Sequence, residues 1–128
     1  MSMVLNLELQ QGTTITLLKK ILVCSSYHDI QEVEDGLKAL LPSLNSSVYF
    51  TNDLENTQIL SEGLEELGWK VGVRGYIDID PTSARAMQEV KNMIITLADQ
   101  TSFDFVLSCQ YESIYASKTD GLFQLNDF

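Results

Sequence analysis

Histidine occurs once in this 128-residue chain, and cysteine and proline only twice each. A single imidazole, His28, excludes His-rich metal sites and leaves no second histidine to orient a catalytic one. Cys24 and Cys109 have no CxxC neighbour, so zinc is not expected and both read as buried, reduced thiols. Bases are scarce as well: 8 Lys and Arg stand against 18 Asp and Glu, a net charge of −10. Binding a phosphate backbone requires Lys and Arg, so nucleic acid is excluded as a partner. No apolar run approaches the roughly 20 residues of a membrane helix. No basic region precedes an apolar stretch near Met1, so no secretory signal is expected and the chain reads as cytoplasmic.

With 45% hydrophobic residues, the chain is expected to form one globular domain over 1–128. The stretch from Trp69 to Cys109 organises the reading. Trp69, Val71, Val73, Ile77 and Ile79 share one parity with Gly75, and Lys70, Arg74, Asp78 and Asp80 the other, which predicts a strand with one apolar and one wet face. Asp80 as N-cap and Pro81 at the first position open a helix whose stripe is Met87, Val90, Ile94, Leu97 and Ala98. Phe103 to Cys109 is continuously apolar, as in a central strand covered on both sides. Together these predict a parallel strand–helix–strand unit.

Elsewhere, Leu5, Leu7 and Leu9 alternate with polar residues over 3–10, a strand with one buried face. Residues 15–24 fit either strand or short helix, and their β-branched residues favour the strand. Ser26 with Asp29 opens a helix with a stripe of Ile30, Val33, Leu37, Leu40 and Leu41, stopped by Pro42. Ser47 to Thr51 reads as a strand. Asp53 caps a helix that buries Ile59, Leu60, Leu64 and Leu67 and ends at Gly68. A long strand from Phe103 to about Ser117 then turns at Asp120-Gly121 into a C-terminal β-hairpin. The expected fold is α+β: a mixed sheet of four to six strands with three helices, a three-layer α/β arrangement being the alternative.

The charge is concentrated. Between Ser26 and Glu66 lie nine acids against one base, Lys38. Such a field favours a basic partner. Tyr76 lies on the polar parity of its strand, and Tyr111 and Tyr115 share a face of theirs; tyrosines beside carboxylates are the composition of a protein-binding surface. The expected partner-binding residues are therefore Glu32, Asp35, Glu62, Glu66, Tyr76, Asp78, Tyr111, Glu112 and Tyr115. Asp78 and Asp80, two apart on a strand, are the best metal candidate, with Glu112 as a third ligand if the strands are adjacent. Asp80 is taken up as a helix cap, however, and no metal, cofactor or catalytic residue is expected. Gly72-Val73-Arg74-Gly75 is no phosphate loop, because it precedes no helix N-terminus.

A small, acidic chain without a catalytic constellation resembles the immunity proteins that bacteria carry against contact-dependent and other polymorphic toxins. The resemblance lies in size, charge and the absence of a catalytic pattern. It implies an antitoxin-like inhibitor that acts as a monomer in a one-to-one complex and covers the active site of a basic, nuclease-type toxin domain. Three readings from other classes compete: an acidic secretion chaperone or adaptor that dimerises through the terminal hairpin, a small metal- or ligand-dependent enzyme using Asp78, Asp80 and Glu112, and a DNA-mimicking regulator.

Overall fold

In a computed structural model, residues 2–64, 66–126 and 128 are described; Glu65, one of the nine clustered acids, lies outside them. Among the described residues, eight strands and two helices follow in the order β1 (Met3–Gln10), α1 (Ile15–Cys24), β2 (His28–Val33), β3 (Gly36–Leu40), β4 (Ser47–Thr51), β5 (Val71–Ile79), α2 (Ala84–Gln100), β6 (Phe105–Cys109), β7 (Ser113–Thr119) and β8 (Leu122–Leu125). All eight strands form one sheet in the order β2-β3-β4-β5-β1-β6-β7-β8, and every neighbouring pair is antiparallel. This overturns the expected mixed sheet of four to six strands with three helices, and the three-layer alternative with it.

The core lies between one face of the sheet and the two helices. Leu5, Leu7 and Leu9 of β1 are buried there with Val73, Ile77 and Ile79 of β5 and Phe105 and Leu107 of β6. Leu18, Ile21 and Leu22 of α1, and Val90, Met93, Ile94 and Leu97 of α2, close over them. Of the stripe predicted for α2, Val90, Ile94 and Leu97 are buried and Met87 and Ala98 half-buried, while Ala86 and Met93 are buried as well. Its cap is not the predicted one: Ser83 accepts from the N–H of Ala86, while Asp80 accepts from the N–H and hydroxyl of Thr82 in a local turn. Those two hydrogen bonds hold the exposed Asp80 carboxyl below its ordinary pKa.

Three other segments differ from expectation, each for a physical reason. Residues 15–24 are helical because Thr14 caps the first turn, accepting from the N–H of Leu17, and Leu18, Ile21 and Leu22 share a helical face. Residues 26–41 are a β-hairpin rather than a helix, because Leu37, Ala39 and Leu41 bury at strand period. Gly36, mid-element in the helical reading, marks the difference. A Cβ there would stand 1.8 Å from the carbonyl oxygen of Phe50, so only glycine lets β3 close on β4. Among the described residues of 52–70 there is no helix; several of their backbone groups are taken by side chains and backbone of other elements. Gly68 has a positive φ of 85°, but it ends no helix.

The predicted parallel unit is split. β5 and β6 run in the same direction, yet β1 lies between them and is hydrogen-bonded to both. The sequence from Phe103 to Ser117 is not one strand: Gln110 and Tyr111 turn the chain at φ 53° and 62° into β7. β6 is central and buried as predicted, and β7 pairs with β8 across Asp120-Gly121. The buried Asp104 carboxylate clamps that turn, accepting from the N–H of Asp120 at 2.8 Å and of Gly121 at 3.3 Å. Of the two thiols expected to be buried, Cys24 is exposed and Cys109 half-buried.

Lys118 is a buried cation with a structural job. Its ammonium donates to the carbonyls of Ala98, at 2.9 Å, and Thr101, capping the C-terminal end of α2 from a neighbouring strand. Lys118→Met is expected to lower stability by about 1–3 kcal/mol through the carbonyls it leaves unpaired. Urea unfolding checks this, together with faster amide exchange confined to the last turn of α2.

Tyr27 joins the segment after α1 to α2, donating its hydroxyl to the carbonyl of Glu89 at 3.2 Å. Burial, reinforced by the Glu89 carboxylate, pushes the phenol well above its ordinary 10.0. The fold therefore favours the neutral phenol. Its contribution is complete below about pH 10 and declines as pH rises beyond the unfolded value. Thermal melts across alkaline pH should show Tyr27→Phe flattening that decline.

Candidate functional site

The helices cover one face of the sheet. The other face is divided between the 52–70 segment and an open area. Strand alternation places Asn6 and Glu8 of β1, Arg74, Tyr76 and Asp78 of β5, and Lys38, Tyr49 and Ser108 of β3, β4 and β6 on this side. It is not the wet face that its polar residues predict. Glu8 is 0% exposed and Arg74 5%, and they pair at 2.7 Å. Glu8 also accepts from the N–H of Leu60 at 2.7 Å, the N–H of Ser61 at 3.1 Å and the Ser61 hydroxyl. Arg74 donates to the carbonyls of Asn56 and Gln58 at 3.0 and 2.6 Å. One buried ion pair thus fastens residues 56–61 across the sheet.

Beside this strap lies a row of tyrosines. Tyr49 and Tyr76, cross-strand partners on β4 and β5, stack with centroids 6.2 Å apart and planes 21° from parallel. Lys38, opposite Tyr49 on β3, holds its ammonium 5.5 Å from the Tyr49 ring centre. Tyr111 lies on the β6–β7 turn, near enough to Tyr76, Arg74 and Glu8 for them to act on its phenol. Burial first and the neighbouring Tyr76 second raise its phenol above the ordinary value. Tyr49 donates its hydroxyl to the Asp35 carboxylate, and that bond raises its own pKa.

Asp78, next to Tyr76 along this face, is half-buried, and its Oδ1 is shielded from water without a hydrogen-bond partner. Toward β2 the face dips into a shallow groove of about 700 Å³ lined by Asp29, Gln31, Lys38, Leu40, Ser47 and Tyr49. A second depression is lined by Glu34 and Asp35 of the β2–β3 turn with Asn52 and Asp53 after β4.

The expected binding residues divide between the two faces. Tyr76, Asp78 and Tyr111 belong to the open area, Asp35 closes one end through Tyr49, and Glu62 adjoins Tyr111, donating its N–H to the Tyr111 carbonyl at 2.7 Å. Glu66 is exposed on the 52–70 segment and Glu112 on the β6–β7 turn. Glu32 and Tyr115 are on the other side. Glu32 pairs with Leu37 on the helix face, 4.0 Å from Lys19 of α1, and Tyr115 packs edge-on against Phe128 at 5.8 Å. Tyr111 lies in a turn and so shares no strand face with Tyr115. The Asp78, Asp80 and Glu112 grouping is not formed, since β1 and β6 separate β5 from the strand that follows Glu112. Among the described residues no group of three or more His, Cys, Asp or Glu is placed to hold a metal. His28 is exposed, contacting the Leu41 carbonyl at 3.1 Å and Asp29 at 3.4 Å.

The expected binding residues did not include Tyr49, Lys38 or the Glu8–Arg74 pair. Tyr49 was legible as the polar-parity residue of Val48-Tyr49-Phe50, but only sheet order puts it beside Tyr76. Among the described residues no helix is long and apolar enough to cross a membrane. Comparison of the chain with protein-family models, curated proteins and solved structures finds no match.

Proposed function

We propose that this chain is an acidic inhibitor of the immunity type, which binds a basic, nuclease-type toxin domain through the open half of its helix-free sheet face and blocks the toxin's active site. The observation that carries the reading is the row Lys38, Tyr49 and Tyr76 across three neighbouring strands, with the Asp35 carboxylate of the β2–β3 turn hydrogen-bonded to Tyr49 at one end. Tyrosines anchored on a sheet offer contact area at little entropic cost. The surrounding negative field steers a basic partner and sets its orientation. The inhibitor acts in the cytoplasm as a monomer in a one-to-one complex.

The test is low-salt affinity purification from the native cells, followed by assay of the captured domain. The expected result is a stoichiometric basic domain whose activity the pure chain abolishes, with association slowing as salt rises. Tyr76→Ala should weaken that complex by about 2 kcal/mol or more, as truncation of a central aromatic anchor does. The secretion-chaperone reading has one observation in its favour, exposed Leu122 and Leu125 on edge strand β8. Recovery of a stable homodimer bound to an exported protein would support the chaperone and sink the inhibitor.

A further inference from the structure

We infer that Lys38 is the residue by which this face sorts its partner: it takes one carboxylate from a domain that is otherwise basic. The inference rests on the basic-partner reading above and names the one anionic contact within it.

Gln31 of β2, Lys38 of β3 and Tyr49 of β4 are successive cross-strand partners, so they share the helix-free face. All three line the shallow groove, with exposed Leu40 and half-buried Ser47 beside them. Lys38 is exposed there, its ammonium 5.5 Å from the Tyr49 ring centre. It is the only base between Ser26 and Glu66, yet among the described residues it forms no ion pair. The acids of its own hairpin are engaged elsewhere. Asp35 accepts from the Tyr49 hydroxyl, Asp29 lies 3.4 Å from His28, and Glu32 lies 4.0 Å from Lys19. Glu34 lines the separate depression at the β2–β3 turn.

A field of this sign attracts every basic protein alike, so steering alone selects none. Discrimination needs a repulsive element, and one cation set among nine acids is such an element. A partner that brings Lys or Arg to this groove meets a like charge. A partner that brings Asp or Glu gains an ammonium already positioned on an aromatic ring. The Gln31 amide and the Ser47 hydroxyl are the further donors that the groove offers to such a carboxylate.

The probes are three blocked pentapeptides: pentalysine, and its relatives with glutamine or glutamate at the central position. Binding to the intact chain at low salt is followed by amide NMR, with affinity read from the resonances of Lys38, Leu40 and Ser47. Charge alone ranks pentalysine first and the glutamate peptide last. The expected result is the reverse: the glutamate peptide binds at least about three times more tightly than the glutamine peptide, and pentalysine binds weakest at the groove. Lys38→Met should restore the ranking by charge, and Lys38→Arg should keep the glutamate preference. Urea unfolding of both variants confirms that they fold. A ranking by charge or no margin for glutamate in the intact chain would overturn the role of Lys38, as would a glutamate preference that survives Lys38→Met. So would shifts confined to Glu34, Asp35 and Asp53. Each of those results leaves the basic-partner reading standing. If no cationic peptide binds at any site, the basic-partner reading fails with it.

Discussion

Arg74→Met is expected to destabilise the fold by about 3–5 kcal/mol, because it strands the fully buried Glu8 carboxylate without its cation. Glu8 keeps three donors after the substitution, the N–H groups of Leu60 and Ser61 and the Ser61 hydroxyl. Hydrogen bonds alone do not neutralise a charge held in low dielectric. The strap suffers a second loss, since the carbonyls of Asn56 and Gln58 also lose their donor. Removing the charge as well, in Glu8→Gln with Arg74→Met, should recover part of the loss, because no charge is left buried and the amide oxygen still accepts on one side of the strap. Urea unfolding measures both, and hydrogen exchange at Leu60 and Ser61 should rise more than exchange in the core strands. If Arg74→Met unfolds within about 1 kcal/mol of the parent, the pair is not buried as described.

Phe50→Ala is expected to cost about 3–5 kcal/mol, the range for a fully buried aromatic truncated to a methyl. Its ring fills the space above Gly75, where a Cβ would come within 2.7 Å of Phe50 and 3.2 Å of Leu7. Gly75→Ala alone should therefore overpack the site, at about 1–3 kcal/mol. The two substitutions together should cost less than their sum, because the new methyl occupies part of the cavity left by the ring. A double-mutant cycle reads this as a coupling of about 0.5–3 kcal/mol. Strict additivity would show that β4 and β5 are not paired in the register that sets Phe50 opposite Gly75.

Patterns that admit one solution were legible from the residues. β1, β4, β5 and the stripe of α2 could be read because each carries a single dominant period, of two in the strands and near 3.6 in the helix. Residues 26–41 satisfied both periods at once, through Leu37, Leu40 and Leu41, and local pattern could not separate them. Gly36 held the information, but its meaning depends on Phe50, which approaches only when β3 pairs with β4. The 52–70 segment is the opposite case. Its spacing of Ile59, Leu60, Leu64 and Leu67 suits a helix, and long-range hydrogen bonds from Glu8 and Arg74 overrule it.

The candidate site was half legible for the same reason. Tyr76 and Asp78 stood out because polar parity on an apolar strand is a local observation. Tyr49 and Lys38 join them through strand order, and Tyr111 through two residues of positive φ. Tyr115 and Glu32 looked equivalent to these in sequence, but the turn at Gln110-Tyr111 and the register of β2 put them on the helix side.

The sequence by itself determined the acidic field, the scarcity of imidazole and the apolar stripes that make a sheet and a long amphipathic helix. Those are sums or short periods, and each is complete within a few turns of chain. Tertiary structure decided that β1 divides β5 from β6, that Glu8 and Arg74 are a buried clasp rather than solvent-facing charges, and that three tyrosines make one surface. Those outcomes depend on which distant segments meet, because a buried charge is tolerated only where its partner arrives and a backbone group leaves the helix only where another acceptor or donor takes it.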